Sequence, residues 1–258
     1  MRANRGTRGW AWHEGDAGRG ARATQTGTAV RYNSDMARKL GFVFFDVGST
    51  LLFANRERML APLRERGIFS SEQELRALEA RAKNEFDDVL EHDGKADHGF
   101  WDMFYTQLFK SLQLKDEPLR QRLIANTRNS SNWNQIRPGT REALQQIGLK
   151  YQIAVISNAD GKIAELLESC GIADCFRSIT DSTIVGHEKP HPVIFETALA
   201  SIGARAEESL YVGDVYSVDY RGATGAGMEA VLFDVCGAYR EKGLPRVESL
   251  EELVGKIG

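Results

Sequence analysis

Four short runs of large apolar residues, each breaking off at a polar residue, recur along the chain with helical stretches between them. Phe42-Val43-Phe44-Phe45 ends on Asp46, Gln152 to Ile156 runs into Ser157-Asn158-Ala159-Asp160, Leu210-Tyr211-Val212 enters Gly213-Asp214, and Ala230-Val231-Leu232-Phe233 is the last clear run. Runs this short, rich in Val, Ile and Phe, suit strands covered on both faces. Their alternation with helices predicts a parallel sheet with helices packed on both sides. Such a sheet delivers the polar ends of its strands to one edge, where open α/β folds bind ligands.

The first run turns sharply through Val47-Gly48-Ser49-Thr50 into Leu51-Leu52. A carboxylate at that strand end can attack phosphorus or hold a metal, and Thr50 can supply a hydroxyl to a phosphate oxygen. A plain polar turn after a strand would use the same residues.

From about residue 55 to 135 the strand pattern stops. Apolar residues instead recur at helical spacing, as Leu75, Leu78, Ala82 and Phe86, then Phe100, Phe104, Leu108 and Leu112, then Leu119, Leu123 and Ile124. Ser71 with Glu74 forms a capping-box pattern, and Pro118 suits a first helical turn. This predicts an all-helical insertion over 55–135, with Trp101, Phe104 and Tyr105 in its core, between core segments 39–54 and 136–258. Downstream, Pro138-Gly139-Thr140 opens a helix, Gly171 closes another, and Ser249 to Ile257 reads as a terminal one.

Residues 1–38 carry no helical or strand period around Trp10 and Trp12, and disorder is expected there. Met36 directly before the first strand reads as a second possible start, and an Arg-rich organelle presequence is the alternative. The formal charge of −3 hides six arginines against three acids in residues 1–35. The acidic remainder gives no footprint for nucleic acid. No apolar run approaches the roughly 20 residues of a membrane span. Cys170, Cys175 and Cys236 are odd in number and lack a zinc spacing, which fits free thiols and a cytoplasmic setting. Composition suggests a monomer or weak homodimer.

Asp46, Ser157-Asn158 and Gly213-Asp214 thus arrive at one edge, joined by Lys189 from the loop Gly186-His187-Glu188-Lys189-Pro190-His191. Together they offer a nucleophile, a hydroxyl, a cation and carboxylates. Asp214 and Asp219, five residues apart, can anchor Mg²⁺ through oxygen ligands. Asn158 and Asp160 line such a pocket or cap the following helix. His187 and His191 are expected on an exposed loop, and Cys236 as a buried small residue.

In these motifs and their order, the chain resembles the haloacid dehalogenase-like hydrolase superfamily, in the branch with a helical cap inserted after the first motif. The resemblance covers about residues 41–240. It implies a Rossmann-like core and a Mg²⁺-dependent phosphatase acting on a small phosphorylated molecule. It also implies that Asp46 forms an aspartyl phosphate, that Ser157 and Lys189 stabilise the transferring group, and that Asp46, the Gly48 carbonyl, Asp214 and Asp219 hold the metal. One position departs from the pattern. Where these phosphatases carry a second aspartate, two residues after the nucleophile, this chain has Gly48. Loss of a general acid typically costs about 10²–10⁴-fold. Slow turnover, an acidic leaving group, or a substitute acid among Glu91, His92, Asp93, Asp97 and His98 are the options.

Two alternatives follow. A non-catalytic phospho-ligand-binding or regulatory protein would keep the pocket without the acid. A phosphonate hydrolase would tolerate the small residue at 48, but needs a cap lysine for a Schiff base; Lys83, Lys95, Lys110 and Lys115 are available, although lysines on helical faces are normally solvated. Metal-free carbon–halogen hydrolysis is disfavoured by Asp214, because those enzymes carry Ser-Asn rather than Gly-Asp there.

Overall fold

Val43, Phe44 and Phe45 are completely buried, and the strand they form sits in the middle of the sheet. The structure, a computed structural model, describes residues 40–93 and 99–258. The expectation for residues 1–38, and the candidates Lys95, Asp97, His98 and the side chain of Asp93, lie outside the described residues.

Six parallel strands run in the order β5-β4-β1-β6-β7-β8. They are β1 (Phe42–Phe45), β4 (Gln152–Ser157), β5 (Ile179–Asp181), β6 (Ser209–Gly213), β7 (Glu229–Phe233) and β8 (Arg246–Val247). Phe45 pairs in register with Val155 on one side and Val212 on the other. The chain therefore leaves β1, β4 and β6 at neighbouring points, and Asp46, Ser157 and Asp214 converge. Two strands, β5 and β8, were not legible beforehand: each has only two or three residues, too few to show alternation.

Successive strand side chains face opposite ways, and two cores result. Val43, Phe45, Val155 and Val212 pack with helices α6 (Thr140–Gly148), α7 (Ile163–Ser169) and α11 (Leu250–Ile257). Phe44, Ile156 and Tyr211 pack on the other face with α9 (Pro192–Ser201) and α10 (Arg221–Gly225). Burying each large apolar side chain contributes roughly 1.5–3 kcal/mol, which offsets the cost of holding Asp46 almost fully buried at their end.

After β1, Val47 O accepts from Leu51 N and Leu52 N, both at 2.9 Å, so the turn is tight. Ser49 takes a φ of 56° there, a left-handed conformation costing an L-residue about 1–2 kcal/mol. The short strand β2 (Leu52–Phe53) then pairs antiparallel with β3 (Gln135–Ile136). This two-stranded stem, absent from the sequence reading, brackets the helical segment.

That segment holds α1 (Arg56–Met59), α2 (Ala61–Arg64), α3 (Glu72–Asp93), α4 (Phe100–Ser111) and α5 (Glu117–Arg128). The capping box forms as the spacing predicts, with Ser71 N donating to Glu74 Oε2 at 2.7 Å and Glu74 N to Ser71 Oγ at 3.2 Å. Leu78, Ala82, Phe104, Tyr105, Leu108 and Leu123 make its core. Trp101 packs only partly against that core and faces a cleft above the sheet edge. Among the described residues no helix is long and apolar enough to cross a membrane.

Candidate active site

Asp46 leaves β1 at the sheet edge with 6% of its surface exposed, and the Lys189 ammonium donates to its Oδ1 at 2.6 Å. The same ammonium donates to Asp219 Oδ1 at 2.8 Å and to the Tyr211 hydroxyl at 2.7 Å. All three donor positions of Lys189 are thus taken, and its geometry is fixed. Asp219 commits its second oxygen to Val215 N–H at 2.9 Å. Asp219 therefore acts first as an anchor for Lys189 and for the loop after β6. Glycine at 213 is required for this approach, since a Cβ there would lie 2.5 Å from the Asp219 carboxyl carbon.

The Lys189 loop is held by Asn158. Its Nδ2 donates to the Lys189 carbonyl at 3.0 Å, and its Oδ1 accepts from Lys189 N–H at 2.7 Å. Asn158 lines the cleft but spends these bonds on positioning the lysine rather than capping the next helix. Ser157 closes β4, buried and on the cleft wall. Thr50 differs from expectation: it is fully buried, absent from the cleft wall, and its hydroxyl has no partner among the described residues. Ser49, one residue earlier, lines the cleft instead. The chain passes through a left-handed conformation at Ser49, with Ser49 on the cleft wall and Thr50 buried away from it.

Asp46, Asp214 and Asp219 each bring a ligand oxygen within 4.8 Å of one another. Burial, set against the Lys189 charge that lowers it and the Asp219 charge that raises it, pushes the Asp46 carboxyl up to about 6. Burial first, opposed by Lys83 and reinforced by Asp46 and Asp219, pushes Asp214 up to about 7. Burial alone would lower Lys189, but Asp219 and Asp46 outweigh it and raise it. Three carboxylates facing two ammonium groups leave excess negative charge, and an all-oxygen donor set fits a hard divalent cation.

The second ammonium belongs to Lys83, on α3 of the helical segment. It is 2% exposed and pairs with Asp214 Oδ2 at 2.7 Å, with Glu79 Oε1 at 3.7 Å behind it. For Lys83 this corrects the expectation that the cap lysines are solvated; Lys110 and Lys115 are exposed. Burial works against its charge, but Asp214 leads the groups that raise it well above an ordinary lysine. Schiff-base chemistry needs a neutral amine, so this lysine gives the phosphonate alternative no support. A signal was present: Glu79, Lys83 and Asp87 repeat every four residues beside the apolar stripe of Leu75, Leu78, Ala82 and Phe86. Asp87 also crosses to the core, accepting Ser217 N–H at 2.9 Å.

A cleft of about 1120 Å³ opens above Asp46. One wall is the sheet edge with Ser157, Asn158, Lys189 and Asp214; the other is Phe86, Phe100, Trp101 and Trp133. Glu91 and His92 do not line it: Glu91 faces Arg221 at 3.4 Å, and His92 Nδ1 bonds the Asp88 carbonyl on its own helix. His187 and His191 are exposed, as expected, and their rings stack at 4.2 Å. Cys236 is half-buried rather than buried.

A family model described as haloacid dehalogenase-like hydrolase matches residues 40–227. The chain is 30% identical over 146 residues to haloacid dehalogenase-like hydrolase domain-containing protein 3 of Bos taurus, covering 54% of this chain and 57% of that protein. It is 35% identical over 136 residues to glyceraldehyde 3-phosphate phosphatase of Methanothermobacter thermautotrophicus, covering 51% of this chain and 60% of that one. The chain thus spans less than two thirds of the length of these curated relatives. The crystal structure of the HAD-hydrolase YfnB from Bacillus subtilis bound to magnesium has the same fold. Its TM-score is 0.64 at 17% identity, over 85% of this chain and 99% of that chain.

Proposed function

Because this chain belongs to the haloacid dehalogenase-like hydrolases, we propose that it is a Mg²⁺-dependent phosphatase of a small phosphorylated molecule, with Asp46 as nucleophile. The observation that carries this reading is the buried cluster at the sheet edge, where Lys189 bridges Asp46 and Asp219 beneath an open cleft. Relatives named as phosphatases support it.

In this reading the Asp46 carboxylate attacks phosphorus and carries the phosphoryl group, which water then removes. Burial raises the Asp46 carboxyl, and the Lys189 ammonium at 2.6 Å opposes that rise and favours the ionised, nucleophilic form. Lys189, locked by Asp46, Asp219 and Tyr211, keeps a fixed positive charge beside the phosphoryl oxygens, and Ser157 lies on the same wall. Asp46, Asp214 and the Gly48 carbonyl, with Asp219 beside them, are the groups that would hold Mg²⁺. When bound, the ion screens the repulsion between the carboxylate and a phosphate dianion. The helical segment supplies the aromatic wall facing this edge across the cleft.

The test is phosphate release from acetyl phosphate and 4-nitrophenyl phosphate, in Mg²⁺ and in EDTA, for the wild type and Asp46→Asn. Release that needs Mg²⁺ and disappears in Asp46→Asn is the expected result. A protein that binds phosphate but releases none from either compound would instead be a non-catalytic binder.

A further inference from the structure

We infer that the substrate of this site is an aryl monophosphate, whose phenolic leaving group stacks on the aromatic wall and departs as its anion without a proton from the protein. The inference rests on the phosphatase reading and narrows it.

The first observation is at Gly48. A Cβ built there would stand in ordinary van der Waals contact with the six-membered ring of Trp133, at 3.6 Å and 3.8 Å, so an indole packs beside the position where the chain lacks an acid side chain. That indole is fixed, because Nε1 donates to the Thr127 carbonyl at 2.8 Å. Among the described residues, the acids and imidazole that line the cleft away from the Lys189 cluster are Asp160, Glu188 and His191, and Arg128 adds a cation there. The first three are exposed on loops following β4 and β5, and His191 is tied down by Val193 N–H at 3.3 Å and by the stacked His187 ring. None of these three lies on the wall that Trp133 forms.

The second observation is the chemistry of that wall. Phe86 meets Phe100 edge-on at 6.0 Å, Phe100 meets Trp101 at 4.8 Å, and Trp101 meets Trp133 at 5.5 Å. The four rings form one connected surface along the cleft. Trp101 and Trp133 remain half-exposed there. Ring edges and faces of this kind bind another aromatic ring by offset or edge-to-face contact. A sugar or glycerol phosphate would leave this surface wet.

The two observations meet in the bond that breaks. An Asp46 oxygen bonds to phosphorus while the phosphorus–oxygen bond to the phenol breaks, its electron pair staying on the phenolate. Phenolate is stable enough to leave unprotonated and takes its proton from solvent after release. Water then attacks phosphorus, the acyl phosphate bond returns its pair to Asp46, and the water's second proton passes to solvent. An alkyl alkoxide lacks this exit and would forfeit the roughly 10²–10⁴-fold that a general acid supplies.

The experiment measures kcat/KM of the intact protein with Mg²⁺ on phenyl phosphates of graded leaving-group acidity, on acetyl phosphate and on glycerol phosphate. Expected are a steep rise with phenol acidity, a glycerol phosphate value at least about a hundredfold below 4-nitrophenyl phosphate, and a lower KM for the aryl esters than for acetyl phosphate. Phenylphosphonate, which cannot turn over, should quench tryptophan fluorescence on binding, and Trp101→Ala should weaken that binding severalfold without a matching loss for inorganic phosphate. Rates independent of phenol acidity, with glycerol phosphate hydrolysed as fast, would overturn the inference and leave the phosphatase reading intact. Equal KM values for aryl esters and acetyl phosphate, with Trp101→Ala binding phenylphosphonate as the wild type does, would overturn the stacking. No phosphate from any compound would overturn the phosphatase reading and this inference with it.

Discussion

Replacing Lys83 with methionine keeps most of the side chain's apolar stem and removes only the ammonium that α3 presents to Asp214. The pair is buried on both sides, with Lys83 2% and Asp214 7% exposed, and the contact is 2.7 Å. Breaking a buried pair by removing one partner typically costs about 3–5 kcal/mol, because the remaining charge is stranded. Asp214 has a partial escape, since its carboxyl already sits up at about 7 and would rise further without Lys83. Sign matters here. A carboxyl whose folded pKa lies above its unfolded value binds its proton more tightly in the folded state, so stability falls as pH rises through that range. The penalty of Lys83→Met should therefore be larger at pH 8 than at pH 6, by about 1 kcal/mol, since each pH unit above the wild-type Asp214 value is worth about 1.4 kcal/mol.

At about 3 kcal/mol, a domain of this size loses roughly 6–12 °C in Tm. A divalent cation on Asp214 would supply the missing positive charge, so the loss should shrink by at least half in Mg²⁺ relative to EDTA. The assay is thermal unfolding by circular dichroism at pH 6 and pH 8, in EDTA and in Mg²⁺. A penalty under about 1 kcal/mol in EDTA at pH 8, against the usual cost of a stranded buried charge, would refute the argument. An equal penalty in both media would refute the metal part of it.

Gly213→Ala should cost about 3 kcal/mol and loosen Mg²⁺ binding, measured by chemical denaturation and titration calorimetry, because its Cβ would sit 2.5 Å from the Asp219 carboxyl carbon. A variant as stable as wild type would show that Asp219 does not need this approach. Asp87→Asn keeps an oxygen for Ser217 N–H while removing a carboxylate whose pKa burial raises. With the folded pKa above the unfolded one, the wild-type group contributes stability at low pH and loses it as pH rises. The variant should be more stable than wild type at pH 8, with the advantage disappearing toward pH 4 in paired denaturation curves.

The apolar runs ending at Asp46, Ser157 and Gly213 were enough to read a parallel sheet and the edge at which its polar ends meet. Strand identity is written locally, in residues that prefer a doubly covered surface, and topology then follows from the short list of allowed connections. The same holds for the long helices, whose apolar spacing and capping box are properties of neighbours three and four apart. Very short strands such as β5 and β8 escaped because pairing with an existing edge, not their own pattern, makes them strands.

What the tertiary structure alone decided is which side chains share the site. Thr50 and Ser49 are adjacent in sequence, yet across the left-handed turn at Ser49 one is buried and the other lines the cleft. Asn158 became a clamp on the Lys189 backbone, and Tyr211 a partner of its ammonium, across 31 and 22 residues respectively. Lys83 is the sharpest case. On its own helix it has only the longer Glu79 contact, and Asp214, 131 positions later in the chain, is the close partner that makes its burial tolerable. Sequence determines where a chain can place strands and helices because those preferences act over a few residues. The partner that makes a buried charge affordable is distant in sequence, and only folding brings the two together.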